Sequence, residues 1–298
     1  MQNKDTFSSY HPLVNFLFFA LVLGFTMFFI HPLSLCTSLI SALVYAVYLK
    51  GSRMLRKSLL YLLPMMLMAA ILNPAFNHEG MTILTYLPSG NPLTLESICY
   101  GIGAAGMLGA IVLWFSCYTE VMTSDKFVYL FGRIIPALSL ILSMTLRFVP
   151  KFKAQFQVVR DAQKCVGRDM SDGNMISRMK HTVTIFSIMV TWALENAIET
   201  ADSMKSRGYG LPGRTAFSIY CFDERDKIAM FWLLFCGFFI GIGAMVGGLS
   251  WQYYPIIKGV ALTPLTISFQ LAYLALCMTP VFLDRMEDRK WKHLQYEI

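Results

Sequence analysis

Charged residues are scarce in this chain of 298: Asp, Glu, Lys and Arg together make up 14%, where soluble globular domains carry about 25%. Recognisable catalytic patterns are missing as well. There is no glycine-rich Walker lysine motif, no H-E-x-x-H and no G-x-S-x-G. The seven cysteines include no C-x-x-C pair, and most sit in or beside apolar runs, so they read as small buried hydrophobes rather than a disulfide framework. His11, His31, His78, His181 and His293 are far apart, without ligand-like spacing. No nucleic-acid motif accompanies the net charge of +7.

Apolar residues are abundant, at 56%. They come in continuous runs rather than alternation, which predicts helices. A helix needs about 20 apolar residues to cross the hydrocarbon core, and backbone groups in lipid must be satisfied within the helix. Six segments fit this requirement, at about 13–30, 33–49, 58–73, 97–117, 228–249 and 263–283. Pro12 and Pro32 stand near the starts of the first two, where proline costs little. Lys4 and Asp5 precede the first run without a small-residue cleavage site, so that run reads as a retained helix.

The loops predict sidedness, because Lys and Arg stay on the cytoplasmic side. Lys50, Arg53, Arg56 and Lys57 fall between the second and third spans, whereas 74–96 has no Lys or Arg. The stretch 118–227 has fifteen, 250–262 has Lys258 alone, and the tail has Arg285, Arg289, Lys290 and Lys292. Both termini and the central block are therefore expected in the cytoplasm. The chain divides accordingly into N-terminal spans (1–127), a cytoplasmic-side region (128–227) and C-terminal spans with a tail (228–298). Two further apolar runs, 134–149 and 182–194, lie inside the basic block and are expected not to cross.

Within that block Lys153, Gln157, Arg160 and Lys164 share one helix face, and Phe152, Phe156 and Val159 lie on another. Glu195, Glu199, Asp202 and Ser206 repeat the spacing on a second helix. These are either two solvated faces or a crossing at which Arg160 and Lys164 pair with Glu199 and Asp202. Gly101, Gly103, Gly106 and Gly109 line the fourth span and Gly237, Gly241, Gly243 and Gly247 the fifth, which suits close helix packing or a sliding surface. The spans hold almost no ionisable residues, which argues against proton- or ion-coupled carriage. A stand-alone secondary transporter or channel is the alternative reading, and an enzyme sited in 118–227 a third.

Ala201-Asp202-Ser203-Met204-Lys205-Ser206-Arg207-Gly208-Tyr209-Gly210 resembles the coupling signature of transmembrane T components of energy-coupling factor transporters, with Ser206-Arg207-Gly208 as its core. Arg147-Phe148-Val149-Pro150 and the helix to Lys164 resemble the approach to the family's first such signature, and Asn73–Gly80 a loop of some members. Where the first signature ordinarily carries arginine, this chain reads Cys165-Val166-Gly167, and Arg168 follows. The resemblance implies an all-α integral membrane protein of about six transmembrane helices plus two long cytoplasmic-side coupling helices. It implies a non-enzymatic scaffold in the cytoplasmic membrane that binds no cofactor itself. Two partner ATPases using ATP and Mg, and a membrane S component that binds a vitamin, related micronutrient or metal ion, complete such an ABC importer. Val166, Gly167, Arg168, Ser206, Arg207 and Gly208 are then the candidate ATPase contacts.

Overall fold

The computed structural model describes residues 6–86, 92–132, 136–168, 174–211, 220–261 and 263–296. Apolar periodicity and proline or polar N-caps set most of the elements. A 3-10 turn, Thr6–Ser9, precedes α1 (Pro12–Phe28) and α2 (Pro32–Phe76). A hairpin of β1 (Ile83–Tyr86) and β2 (Pro92–Thr94) leads into α3 (Leu95–Val121), followed by α4 (Ser124–Gly132), α5 (Pro136–Cys165) and α6 (Met175–Ser206). Then come α7 (Glu224–Met245), a second hairpin of β3 (Trp251–Gln252) and β4 (Lys258–Gly259), and α8 (Pro264–Tyr296). Both hairpins are antiparallel, with Ile83 opposite Thr94 and Trp251 opposite Gly259.

The chain forms two compact units, Met1–Thr123 with Tyr220–Ile298, and Ser124–Ile219. In the first, five helical stretches are long and apolar enough to cross a membrane: Pro32–Gly51, Leu59–Phe76, Leu95–Val121, Glu224–Met245 and Pro264–Glu287. The sixth expected span is the 17-residue α1, at the short end of the range for a crossing of about 17–25 residues. The protein is an all-helical, multi-pass membrane protein. The second and third expected spans run as one helical element, broken at Gly51 where φ is 73°. Only glycine adopts that value readily, and it lets the chain turn without a separate loop.

His-Pro-Leu occurs twice, at 11–13 and 31–33, and does the same work each time. Proline at the first helical position has no N–H to leave unsatisfied, and the preceding imidazole Nδ1 accepts the N–H of Leu13 or Leu33 at 3.2 Å. Around the starts of α1 and α7 and the later part of α8, backbone N–H groups are held by carboxylates. Thr6 donates to Asp284 at 2.7 Å and His11 to Asp226 at 3.0 Å, while the Tyr10 hydroxyl donates to Glu287.

The core of this unit is aromatic. Phe18, Phe19, Tyr45, Trp114 and Tyr273 are at most 1% exposed, and the Trp114 ring meets Phe18 edge-on at 5.8 Å. A polar knot joins four helices there. Thr26 Oγ1 lies 2.8 Å from Ser38 Oγ and 2.9 Å from the Tyr273 hydroxyl, and Trp114 Nε1 donates to Ser38 Oγ at 3.0 Å. The glycines of α3 divide by role. A Cβ at Gly101 would sit 2.7 Å from the Ala70 carbonyl oxygen and one at Gly109 2.6 Å from Met66 Sδ, whereas one at Gly106 would meet nothing within 4 Å. Close packing thus explains Gly101 and Gly109 but not Gly106. The cysteines depart from expectation. Cys117, Cys236 and Cys277 are buried, but Cys36, Cys165 and Cys221 are exposed, because Cys36 is on an outward helix face, Cys165 ends α5 and Cys221 lies in the irregular segment before α7.

Candidate functional site

The unit Ser124–Ile219 is built on α5 and α6, of 30 and 32 residues. Both exceed a membrane crossing, and neither qualifies as one on apolar composition among the described residues. Their contacts run in opposite senses. The Phe152 and Trp192 rings meet edge-on at 5.3 Å, and Val159 packs with Ile185 and Met189 in a small buried cluster. Lys151 Nζ donates to Asn196 Oδ1 at 2.5 Å and lies 5.5 Å from the Trp192 ring.

This register corrects the proposed charge crossing. Pairing Phe152 with Trp192 and Val159 with Ile185 sets Glu199 level with Thr145. Arg160 is fifteen residues further along α5, or about 22 Å at 1.5 Å per residue. No ion pair joins Arg160 or Lys164 to Glu199 or Asp202 among the described residues, and all four side chains are exposed. The crossing is aromatic and apolar, with Lys151 and Asn196 as its polar contact. The signal that locates it was the Phe152/Phe156 face, not the charged one.

The two helix ends share one geometry. At the end of α5, Gly167 has φ 73°, its N–H donates to the Lys164 carbonyl at 3.0 Å, and the Arg168 N–H donates to Gln163 at 2.9 Å. At the end of α6, Gly208 has φ 75°, its N–H donates to Lys205 at 2.9 Å, and the Tyr209 N–H donates to Met204 at 3.0 Å. Both are Schellman ends, in which a left-handed glycine reverses the chain and satisfies the last carbonyls. Cys165-Val166-Gly167 is therefore the structural counterpart of Ser206-Arg207-Gly208. Val166 takes the place of Arg207, and Arg168 the place of Tyr209. Val166, Arg168 and Arg207 are all exposed. The ends point away from the crossing in opposite directions, about 14 Å beyond Phe156 on α5 and about 26 Å beyond Met189 on α6.

α6 also leaves an apolar stripe open. Ile176, Met179, Val183, Phe186, Val190, Leu194 and Ile198 recur at helical spacing and are each at least 42% exposed. A groove of about 430 Å³ between Phe152, Phe156, Phe186 and Val190 adjoins it. Among the described residues no group of three His, Cys, Asp or Glu side chains is placed to hold a metal ion.

The transmembrane protein EcfT 1 of an energy-coupling factor transporter from Listeria monocytogenes is 37% identical over 93 residues, 31% of this chain and 35% of that protein. EcfT proteins of Lactobacillus helveticus and Lactococcus lactis are each 33% identical, over 97 and 92 residues. Each of these matches spans about a third of the relative's length, 35% in all three. The CbiQ family, described as cobalt transport protein, matches residues 5–217. That match takes in the greater part of the chain, including both Schellman-ended helices, and the chain belongs to the CbiQ family.

Proposed function

We propose that this chain is the transmembrane coupling subunit, or T component, of an energy-coupling factor ABC importer. The carrying observation is the pair of identical Schellman ends, exposed and directed oppositely from one crossing. Such an arrangement offers one protruding tip to each of two soluble subunits. Arg207 brings five donors in a planar fork, suited to carboxylates and carbonyl oxygens on a partner. The two partners are ATPases that use ATP and Mg, and this chain binds neither. The exposed α6 stripe is the docking face for a membrane S component that captures a vitamin, related micronutrient or metal ion. Residues 1–127 and 228–298 anchor the bundle and 128–227 carries the coupling. The Lys and Arg bias supports cytoplasmic termini and a cytoplasmic 124–219 unit. The chain itself catalyses no reaction.

Exchanging Arg207 for Glu and measuring ATPase co-purification from mild detergent tests this. Recovery should fall at least tenfold while the chain remains folded. Unchanged recovery, or transport by the isolated chain, would favour a stand-alone transporter.

A further inference from the structure

The two tips carry one charge pattern in common. Counted back from the left-handed glycine, Asp161 and Asp202 each stand six residues before it, and Lys164 and Lys205 each stand three before it. Three residues apart on a helix is one turn along one face. The same Asp–Lys pair therefore sits on the same Schellman backbone at both ends.

The charges around that pair differ in sign. On α5 the lysine is flanked by cations: Arg160 lies one turn before Lys164, and Arg168 follows the cap. The matching positions of α6 hold Ala201 and Tyr209. On α6 the aspartate is preceded by anions, Glu199 one turn back and Glu195 two turns back. The matching positions of α5 hold Val158 and Ala154. All eight charged side chains are exposed, and none is in an ion pair among the described residues. Local stability does not explain the arrangement. Arg160 with Lys164, and Glu195 with Glu199, are like charges four residues apart, a spacing that destabilises a helix. Carboxylates toward the end of α6 also gain nothing from the macrodipole, which favours cations there.

Resting on the coupling role proposed above, we infer that the tips address two unlike ATPase surfaces. The α5 tip takes an acidic docking surface through Arg160 and Arg168. The α6 tip takes a surface with a basic rim, which meets Glu195 and Glu199. The shared Asp and Lys supply contacts common to both. Interchanging the two ATPases sets like charges against each other at both tips, so the pair seats in one orientation. Suppressing wrong partners and fixing register is what charges at an interface do best. One exposed pair contributes a factor of about 1.4–5 in affinity, and four such positions compound to about tenfold or more. Two copies of one ATPase would offer both tips the same surface and satisfy only one.

The test uses the full chain purified in mild detergent together with its ATPases. The photo-crosslinking residue p-benzoylphenylalanine replaces Ala162 or Ser203, which are neutral, exposed and matched between the tips. Crosslinked peptides are read by mass spectrometry. Ala162 should label an acidic peptide of one ATPase and Ser203 a basic peptide of a different one, each by about tenfold over the other. Giving α5 the charges of α6 (Ala154→Glu, Val158→Glu, Arg160→Ala and Arg168→Tyr) should lower ATPase recovery about tenfold. Adding the reciprocal exchange on α6 (Glu195→Ala, Glu199→Val, Ala201→Arg and Tyr209→Arg) should restore recovery with the labels reversed, which also shows that the exchanged helices fold. Labelling of one peptide in one ATPase from both tips overturns the inference. So does undiminished recovery after the α5 exchange, and so does a double exchange that fails to restore recovery or keeps the wild-type labels. A wild-type chain that brings down no ATPase overturns the coupling role itself, and this inference with it.

Discussion

Val166 and Arg207 occupy the same position in two matching helix ends. Each precedes a left-handed glycine, and the N–H two residues further on returns to the carbonyl five residues before it. The difference between the two tips is therefore a change of side chain on an unchanged backbone. The guanidinium nearest to the first tip, Arg168, is displaced by two residues to the position that Tyr209 holds at the other tip.

Tip shape and tip charge can be separated. An L-residue held in the left-handed region costs about 1–2 kcal/mol, so Gly167→Ala and Gly208→Ala should each unwind a tip without disturbing the membrane unit. ATPase co-purification should fall in both, while the melting temperature of the solubilised chain changes little. Arg168→Ala should also lower recovery. Val166→Arg added to it should restore recovery, because the charge returns to the position that Arg207 holds on the other helix.

The helix crossing makes a second prediction through paired substitutions. Lys151 and Asn196 are in contact, so Lys151→Met and Asn196→Leu should be non-additive in stability by about 0.5–1 kcal/mol. Arg160→Glu and Glu199→Lys should add within about 0.5 kcal/mol, the behaviour of residues more than about 7–10 Å apart. Denaturation of the solubilised single and double variants measures both. A coupled Arg160/Glu199 pair would contradict the antiparallel register.

The same pair of cycles explains what sequence could reveal. Long apolar runs set the membrane helices because hydrocarbon admits few alternatives, and α3, α7 and α8 were legible in outline. The tips were located by the resemblance at Ser206-Arg207-Gly208 and Cys165-Val166-Gly167, and their shared Schellman geometry came from the structure. The crossing was not, since spacing says which residues share a face but not which face meets the other helix. Two charged faces invited pairing, yet exposed ion pairs contribute only about 0–1 kcal/mol, and burying Val159 against Ile185 and Met189 wins. Pro12 and Pro32 marked both helix starts in the sequence, whereas the capping role of His11 and His31 came from the structure.

Ser38 should be among the most sensitive small residues of the bundle. It accepts from Trp114 Nε1 and pairs with Thr26, which in turn meets Tyr273. Ser38→Ala leaves the indole N–H without its acceptor in an apolar interior. Intramembrane hydrogen bonds average about 0.6 kcal/mol, with a maximum near 1.7, and losing two shared contacts should cost about 1–2 kcal/mol. Ser38→Thr keeps the hydroxyl and should cost less, provided the added methyl is accommodated. Unfolding of the solubilised chain in a denaturing detergent would show whether that order holds.

His11 and His31 give the bundle a direction of pH dependence. Each caps a helix through Nδ1 as an acceptor, which requires the neutral ring. Burial holds both below the ordinary imidazole value of 6.5, and Asp226 only partly opposes this at His11. A group whose value is lower when folded takes up its proton more readily in the unfolded chain. Their contribution is therefore complete above about pH 6.5 and declines as the pH falls from there toward the folded-state values, below which it levels off. The melting temperature of the solubilised chain should drop between pH 7.5 and pH 5. Asparagine caps a helix start without titrating there, so His11→Asn with His31→Asn should flatten this slope while retaining most stability at pH 7.5. A slope of the same size in the double variant would show that the two imidazoles do not set it.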